Sequence, residues 1–438
     1  MRIDHLHLEN FKKFAVQDID LHPHFTLLVG ENGAGKTSLL DALAVAAGVW
    51  LVKPPEASLS DSGRNILPNE VRLVPLRHGD RTVLASEVYA LVQATGSLDG
   101  TSTLTWTRQI RPGGVRTTNL EAKEALAQIQ SLYDRDQAGE DVLCPVIAYY
   151  GAGRAWLPSN QRAPKAELNG PAKRWSAFYD CFNERVRLAE LHKWFLREAI
   201  ARGNREGRWR PGFDAVRRAL LRCIPDADDF FFDSDLHGMV LSIAGNVQPF
   251  DNLSAGQKMM LAMVADLAIK CVTQNAHLIP PDDLGPEDAP LPRVLRETPG
   301  LVLIDEVDVH LHPSWQRRIA KDLMETFPAI QFVCTTHSPQ VIGELDKQHI
   351  RVIAEDGSVS IPSASYGLDS SRVLEEVMHT SERTDAEVER LRELALALDQ
   401  EDFAQAKKLI GEVEAKLGAN DPEVTRARTL MAFLQDTK

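Results

Sequence analysis

The 438-residue chain has no run of roughly 18 uninterrupted apolar residues, the length a membrane-crossing helix needs, so no contact with a bilayer core is expected. Its opening residues, Met1-Arg2-Ile3-Asp4-His5, carry no apolar signal-peptide core, and the expected location is the cytoplasm. Cysteine is scarce. Cys144, Cys181, Cys223, Cys271 and Cys334 are far apart with no CxxC pair, which excludes a disulfide framework and a zinc ribbon and leaves buried reduced thiols. Positive charge is in deficit, with 49 Lys and Arg against 62 Asp and Glu. A net charge of −13 excludes a protein that coats nucleic acid through its overall charge, though a local basic patch remains open. There is no 20–50-residue repeat and no sustained heptad.

What is present is ordinary globular composition, 44% hydrophobic and 25% charged, in a chain long enough for two or three domains. Ile3-Asp4-His5-Leu6-His7-Leu8 alternates as a strand, and Phe25-Thr26-Leu27-Leu28-Val29 is a second, apolar one. A helix is expected from Thr37 to Val49, with Leu39, Leu40, Leu43, Ala44 and Ala47 on one face. Segments 71–76, 82–92 and 101–111 read as antiparallel strands, and Val142 to Tyr150 as another. From Arg154 to Arg222 helix-compatible runs dominate, with 16 Lys and Arg against 7 Asp and Glu. A hairpin is expected at 228–234 and 238–244, a long helix at 254–275, and an exposed proline-rich loop from His277 to Thr298. Strands at 301–304 and 332–335 with a helix at 314–327 between them give the rhythm of a parallel sheet. Beyond Ser363 three acidic helices are expected at 384–398, 402–417 and 421–435. The expected division is an N-terminal lobe (1–153), a basic helical insertion (154–227), a C-terminal lobe (228–362) and an acidic helical module (363–438).

The chemistry begins at Gly30-Glu31-Asn32-Gly33-Ala34-Gly35-Lys36-Thr37, which fits GxxxxGK[ST] between an apolar strand and a helix. Such a loop turns backbone N–H groups toward phosphates. Lys36 then reaches the β- and γ-phosphates of ATP, the Thr37 hydroxyl takes Mg²⁺, and Asn32 within the loop and Ser38 just after it are further expected nucleotide contacts. Leu301-Val302-Leu303-Ile304-Asp305-Glu306 delivers two carboxylates to a strand end: Asp305 for Mg²⁺, Glu306 to polarise the attacking water. Leu253-Ser254-Ala255-Gly256-Gln257 opens a helix, with Ser254 at the N-cap and Gly256 allowing close approach to an anion; a plain capped helix is the alternative. His337, in Thr335-Thr336-His337-Ser338-Pro339, follows an apolar strand and is placed to touch a γ-phosphate.

In this order the elements resemble the ABC ATPase family. The Walker A loop is 30–37, the signature 253–257, Walker B 301–306, the D-loop surrounds Asp308 and the switch histidine is His337. The resemblance implies an α/β ABC head with a mixed central sheet and an antiparallel β subdomain. It also implies that Ser254 and Gly256, with Gln257 and Asp308 beside them, face ATP held by a second copy in a head-to-head dimer. A Q-loop glutamine is expected after Tyr150, with Gln161 as candidate and Arg154 as a possible substitute contact.

The signature falls more than 200 residues after Walker A, which opposes a transporter subunit. The opening phrase from Ile3 to Phe14 and Thr335-Thr336-His337-Ser338-Pro339 look like RecF- and SMC-type heads. Pro145 to Arg154, and the ending from Tyr366 through Leu409 to Glu423, look like PtuA-type ATPases of Septu and retron antiphage systems. That resemblance implies a multimeric ATPase holding an HNH nuclease partner; RecF-like DNA repair and an ATP-sensing scaffold with little turnover are the alternatives. Trp156, Trp175, Trp194 and Trp209 among arginines offer a DNA- or RNA-binding surface, or else the core of a helical subdomain. The acidic tail reads as a docking or oligomerisation surface. His5/His7, His22/His24 and His310/His312 supply too few ligands for closed metal sites, and Asp233-Ser234-Asp235 reads as a turn.

Overall fold

The computed structural model describes every residue except 57–58, 60–62, 79–80, 156–173, 234, 237, 382 and 437–438. Its N-terminal strands β1 (Arg2–Phe11) and β2 (Phe14–Asp20) are joined by a turn in which Asn10 and Lys12 adopt positive φ. β3 (Phe25–Gly30) is buried along its apolar length and leads through the glycine loop into helix α1 (Lys36–Ala47). The chain continues as β4 (Leu73–His78), β5 (Arg81–Ser86), β6 (Ala90–Ser97), β7 (Leu104–Ile110) and α2 (Lys123–Gln137). One antiparallel sheet has the order β2-β1-β6-β7, whereas β4 and β5 form a separate two-stranded ribbon. The segment expected to hold three strands therefore holds four, in two sheets. β2 escaped the period-two reading because Val16 is exposed and Gln17 buried, against the usual alternation. α2 was not among the expected elements, although Ala125, Ile129, Leu132 and Tyr133 form its buried stripe at helical spacing.

The central sheet has the order β15-β14-β3-β13-β12-β8, built from β8 (Val146–Tyr150), β12 (Gly300–Ile304), β13 (Ile330–Thr335), β14 (Ile350–Ile353) and β15 (Val359–Ser360). β14, β3, β13, β12 and β8 run parallel, and β15 closes one edge antiparallel. α1 was expected to bury one face; it buries all round, from Leu39 to Ala47. Its core joins side chains of the antiparallel sheet, such as Leu6, Leu8 and Trp106, to Leu301, Leu303 and Val333 of the central sheet. A helix apolar on every side is one enclosed between layers.

In sequence between β8 and β12 come α3 (Leu188–Gly203), α4 (Pro211–Cys223), the three-stranded sheet of β9 (Ala227–Asp233), β10 (Gly238–Ile243) and β11 (Asn246–Pro249), α5 (Ala255–Gln274) and α6 (Arg293–Glu297). The expected hairpin thus gains a third strand. The proline-rich stretch is more packed than expected. Leu278, Leu291, Val294 and Leu295 are buried, and the enclosed Asp288 carboxylate accepts from the Gly285 and Arg293 N–H groups. α7 (Pro313–Thr326) and α8 (Pro339–Ile342) flank β13.

These elements make one compact unit, Met1–Leu368. Asp369–Lys438 is a second. In it, α9 (Ser370–Arg372) precedes α10 (Asp385–Asp399), α11 (Phe403–Leu417) and α12 (Pro422–Asp436), the three helices expected. They carry their own core around Leu394, Leu398, Leu409, Ile410, Val413 and Val424.

Candidate functional site

Three of the loop's glycines meet distinct demands. A Cβ on Gly30 would stand 2.4 Å from the Ile353 carbonyl, and one on Gly35 2.4 Å from the Phe14 ring, with φ there at 106°. Gly33 has φ 81° and open space beside it. The loop thus bends where L side chains resist and leaves a cradle clear of side chains. Lys36 Nζ donates to the carbonyls of Gly30 (2.8 Å) and Glu31 (3.0 Å), which brings its ammonium back over the loop. Burial lowers its pKa, while Asp305 and Glu306 work to keep it charged. Lys13 Nζ donates to the Gly33 carbonyl at 2.7 Å and closes the loop from the β1–β2 turn.

Asp305, 7% exposed, is the hub. The Thr37 hydroxyl donates to its Oδ2 at 2.9 Å and the Thr335 hydroxyl to its Oδ1 at 2.5 Å. Thr335 Oγ1 also accepts the Glu306 N–H at 2.7 Å. Further bonds, Asp305 N–H to the Tyr150 carbonyl (2.8 Å) and Val307 N–H to the Thr335 carbonyl (2.9 Å), pin the strand end between β8 and β13. There Glu306 adopts φ 49°, a left-handed turn costly for a non-glycine residue and most often kept at functional positions.

A cavity of about 340 Å³ gathers Lys13, Asn32, Gly33, Gly35, Lys36, Thr37, Ser38, Asp305, Glu306, Thr335 and His337. Four separated stretches of sequence meet there, three of them because β3, β13 and β12 are adjacent and parallel, so their C-terminal ends share one edge. Thr335 and Lys13 were not singled out from the sequence. Each belongs to a quoted phrase, but only the strand order reveals what they touch.

The signature residues do not line that cavity. Ser254 is exposed and caps α5: its Oγ accepts the Gln257 N–H (3.3 Å), and Gln257 Oε1 accepts the Ser254 N–H (2.9 Å). Gln257, expected among the nucleotide contacts, thus spends its side-chain carbonyl on this capping box. Gly256 is buried, and a Cβ there would come within 2.4 Å of the His310 carbonyl, so the signature is packed against the D-loop of its own chain. Asp308 accepts from the Thr336 hydroxyl, and Gln316 binds the Asp308 and Leu311 carbonyls (3.3 and 2.9 Å) and the Ser338 hydroxyl (2.7 Å). The D-loop and the segment bearing His337 are thereby one network. Further along α5, Asp266 accepts from Tyr150 (2.7 Å) and Lys270 (2.5 Å), tying the end of β8 to the signature helix.

Other expected features find structural employment. Gln161 and Trp156 lie outside the described residues. Trp175 is buried, and Trp209 stacks on buried Phe213 at 3.8 Å with the Arg202 guanidinium 4.7 Å from its ring centre, so these rings serve a core. Arg205 donates to the Asp282 carbonyl (3.1 Å), Arg208 pairs with Asp283 (3.6 Å) and Arg210 with Glu198 (3.3 Å). The basic segment thus spends several arginines fastening the proline-rich stretch and its own helices. His5 and His7 bind Asp18, Asp20 and Glu9, and His312 caps α7. Among the described residues no group of three or more His, Cys, Asp or Glu is arranged to hold a metal ion. Asp233 Oδ1 accepts from the N–H groups of Asp235 and Leu236, a turn cap. All five cysteines are buried and none forms a disulfide among the described residues.

Two domain-family models match overlapping stretches: "AAA domain" over residues 5–198, and "AAA domain, putative AbiEii toxin, Type IV TA system" over residues 151–343. Across 96% of its length the chain is 24% identical to the "Retron Ec83 probable ATPase" of Escherichia coli and covers 85% of that protein. It is 22% identical to a "Septu protein PtuA" of Bacillus mycoides over 81% of this chain and 40% of that one. A "DNA replication and repair protein RecF" of Pseudarthrobacter chlorophenolicus is 29% identical over 35% of this chain and 38% of its own. The chain therefore spans less than half of the PtuA and RecF relatives. Among solved structures it is similar to an SMC head domain from Thermotoga maritima, with TM-score 0.42 and 15% identity over 80% of this chain and 94% of that one.

The ordered loop, the paired carboxylates and the domain matches define an ABC-type ATPase. Within that class the chain is related to the PtuA and retron ATPases.

Proposed function

We propose that two copies close head to head over two ATP molecules, and that this cycle restrains or licenses a separately encoded HNH-type nuclease in antiphage defence. The observation that carries the first half is the division of the motifs. One cavity gathers the loop, Asp305, Glu306 and His337, while Ser254 and Gly256 of the same chain stand apart from it. Each composite site then takes Lys36, Thr37, Asp305, Glu306 and His337 from one chain and Ser254 and Gly256 from the other. The retron and Septu names of relatives support the second half.

The donors suit Mg²⁺: Thr37 Oγ1 and Asp305 Oδ2 are hard oxygens already 2.9 Å apart, the pairing octahedral oxygen sites use. When bound, Mg²⁺ supplies charge neutralisation at the β- and γ-phosphate oxygens. Lys36 swings from the Gly30 and Glu31 carbonyls to those oxygens, and the loop's N–H groups cradle the β-phosphate. Glu306 orients water in line with the γ-phosphorus and receives its proton as the O–P bond forms and the bond to the bridging oxygen breaks. His337 donates to the γ-phosphate, and Ser254 and the N-terminus of α5 from the second copy complete the anion site.

The decisive experiment expresses the chain together with the proposed HNH-type nuclease partner and counts phage plaques for wild type and Glu306→Gln. Protection unaffected by the substitution would sink the proposed coupling. A RecF-like role in DNA repair is favoured by the RecF match; protection against DNA damage in place of phage would select it.

A further inference from the structure

The ribbon of β4 and β5 is set apart by what it exposes. Leu73, Leu76, Val83 and Leu84 are 50%, 46%, 51% and 63% exposed, and among the described residues no third strand joins them. The pairing puts Leu73, Pro75 and Leu84 on one face and Val74, Leu76, Val83 and Ala85 on the other, so both faces are apolar. A two-stranded ribbon of this kind is marginal in water by itself.

Its two edges differ. The Glu87 N–H donates to the Arg72 carbonyl (2.8 Å), and the paired residues His78 and Arg81 are separated by two residues. Both facts make 74/85, 76/83 and 78/81 the hydrogen-bonded pairs, and turn the backbone groups of 73, 75, 77, 82, 84 and 86 outward. Pro75 therefore stands where β4 would offer an outward N–H and has none, which blunts that edge. On β5 the outward residues are Thr82, Leu84 and Ser86, all exposed, with no proline among them. One edge is closed and the other is open.

We propose that β5 pairs antiparallel with β5 of a second copy, about a twofold axis at Leu84. In that register Leu84 meets Leu84, Thr82 meets Ser86, Val83 meets Ala85 and Arg81 meets Glu87. Every outward N–H and C=O of Thr82, Leu84 and Ser86 is then bonded. The segment is charge-complementary to its own reverse. Arg81 is exposed and has no ion pair among the described residues, and Glu87 holds Arg72 only at 3.5 Å. Axes at Thr82 or Ser86 would leave both charges unmatched. A strand that completes itself under a twofold points to a second copy as the occupant. The contact uses none of the ATP-site residues, so it forms without nucleotide and does not rest on the function proposed above. Joined to ATP-dependent closure, it would give an assembly larger than a dimer.

The test uses the full chain, nucleotide-free. Because the five native cysteines are buried, a single exposed cysteine reports alone. The axis puts the two copies of residue 84 about 5.5 Å apart at Cα, within disulfide reach, whereas copies of residue 82 are offset by about 13 Å along the strand. Leu84→Cys should become a covalent dimer under mild oxidation and Thr82→Cys should not, with thermal melting of both unchanged. In sedimentation, Arg81→Glu should weaken the dimer about tenfold or more, and adding Glu87→Arg should restore it, as for a desolvated charge pair. A monomer with no cross-link at 84, cross-linking equal at 82 and 84, or association indifferent to Arg81→Glu would each overturn the proposal.

Discussion

The two halves of the proposed nucleotide machinery are built on opposite principles. The half around Asp305 is enclosed and over-determined: one carboxylate accepts from Thr37 and Thr335, and Thr335 also holds the Glu306 N–H. The half around Ser254 is exposed and satisfied only within its own helix cap, with Gly256 pressed against the His310 carbonyl behind it. Chemistry that moves a proton needs groups fixed before the substrate arrives. A surface that must meet and release a second molecule needs its donors free at the tip and rigid behind.

The sharpest way to break this contrast is at Glu306. Glu306→Gln removes the proton acceptor while leaving the amide able to touch water, so ATP turnover should fall by about 100-fold or more with ATP binding retained. Steady-state hydrolysis beside nucleotide affinity checks this, and equal rates in variant and wild type would remove Glu306 from catalysis. Mixing tests whether the two halves come from different chains. Lys36→Ala and Ser254→Arg should each be inactive. In a heterodimer of the two, one site collects both defects and the other collects neither. With random pairing, an equal mixture should recover roughly a quarter of wild-type turnover, provided the sites fire independently. If each variant acts alone, or the mixture stays dead while heterodimers form, the composite site is lost as an explanation.

A smaller effect is expected behind the signature. Gly256→Ala puts a Cβ against backbone, not against a side chain that can rotate away. The D-loop must shift, costing about 1–3 kcal/mol in stability. Because Gln316 links the D-loop to Ser338 beside His337, turnover should fall with it. A variant as stable as wild type would show that the signature and D-loop are not packed as described.

The loop, the acidic pair, the cap and the histidine could be read from sequence because each follows one strand or opens one helix, and local spacing fixes it. The three tail helices were legible for the same reason: their stripes and breaks are local. Thr335 as the bridge between Asp305 and Glu306 could not be read, since it requires knowing that β13 lies between β3 and β12. The tryptophans of the insertion were ambiguous for a related reason. Sequence places Trp209 among arginines, and only packing shows its ring on Phe213. Exposure of β5 was likewise invisible, because the consecutive apolar run Val83-Leu84-Ala85 reads like a buried strand.

Gln257 gives the finest test of the contrast, since sequence put it at the nucleotide and the structure puts it in the cap. Its side-chain carbonyl accepts the Ser254 N–H, a role that glutamate fills as well. Gln257→Ala should therefore destabilise the start of α5 by about 1 kcal/mol, read as a lower melting temperature, whereas Gln257→Glu should not. The same pair of variants separates the two roles in turnover. A side chain that touched the γ-phosphate would be harmed most by the added negative charge of glutamate. One that serves the cap would be harmed more by alanine, and the order of the two rates decides between them.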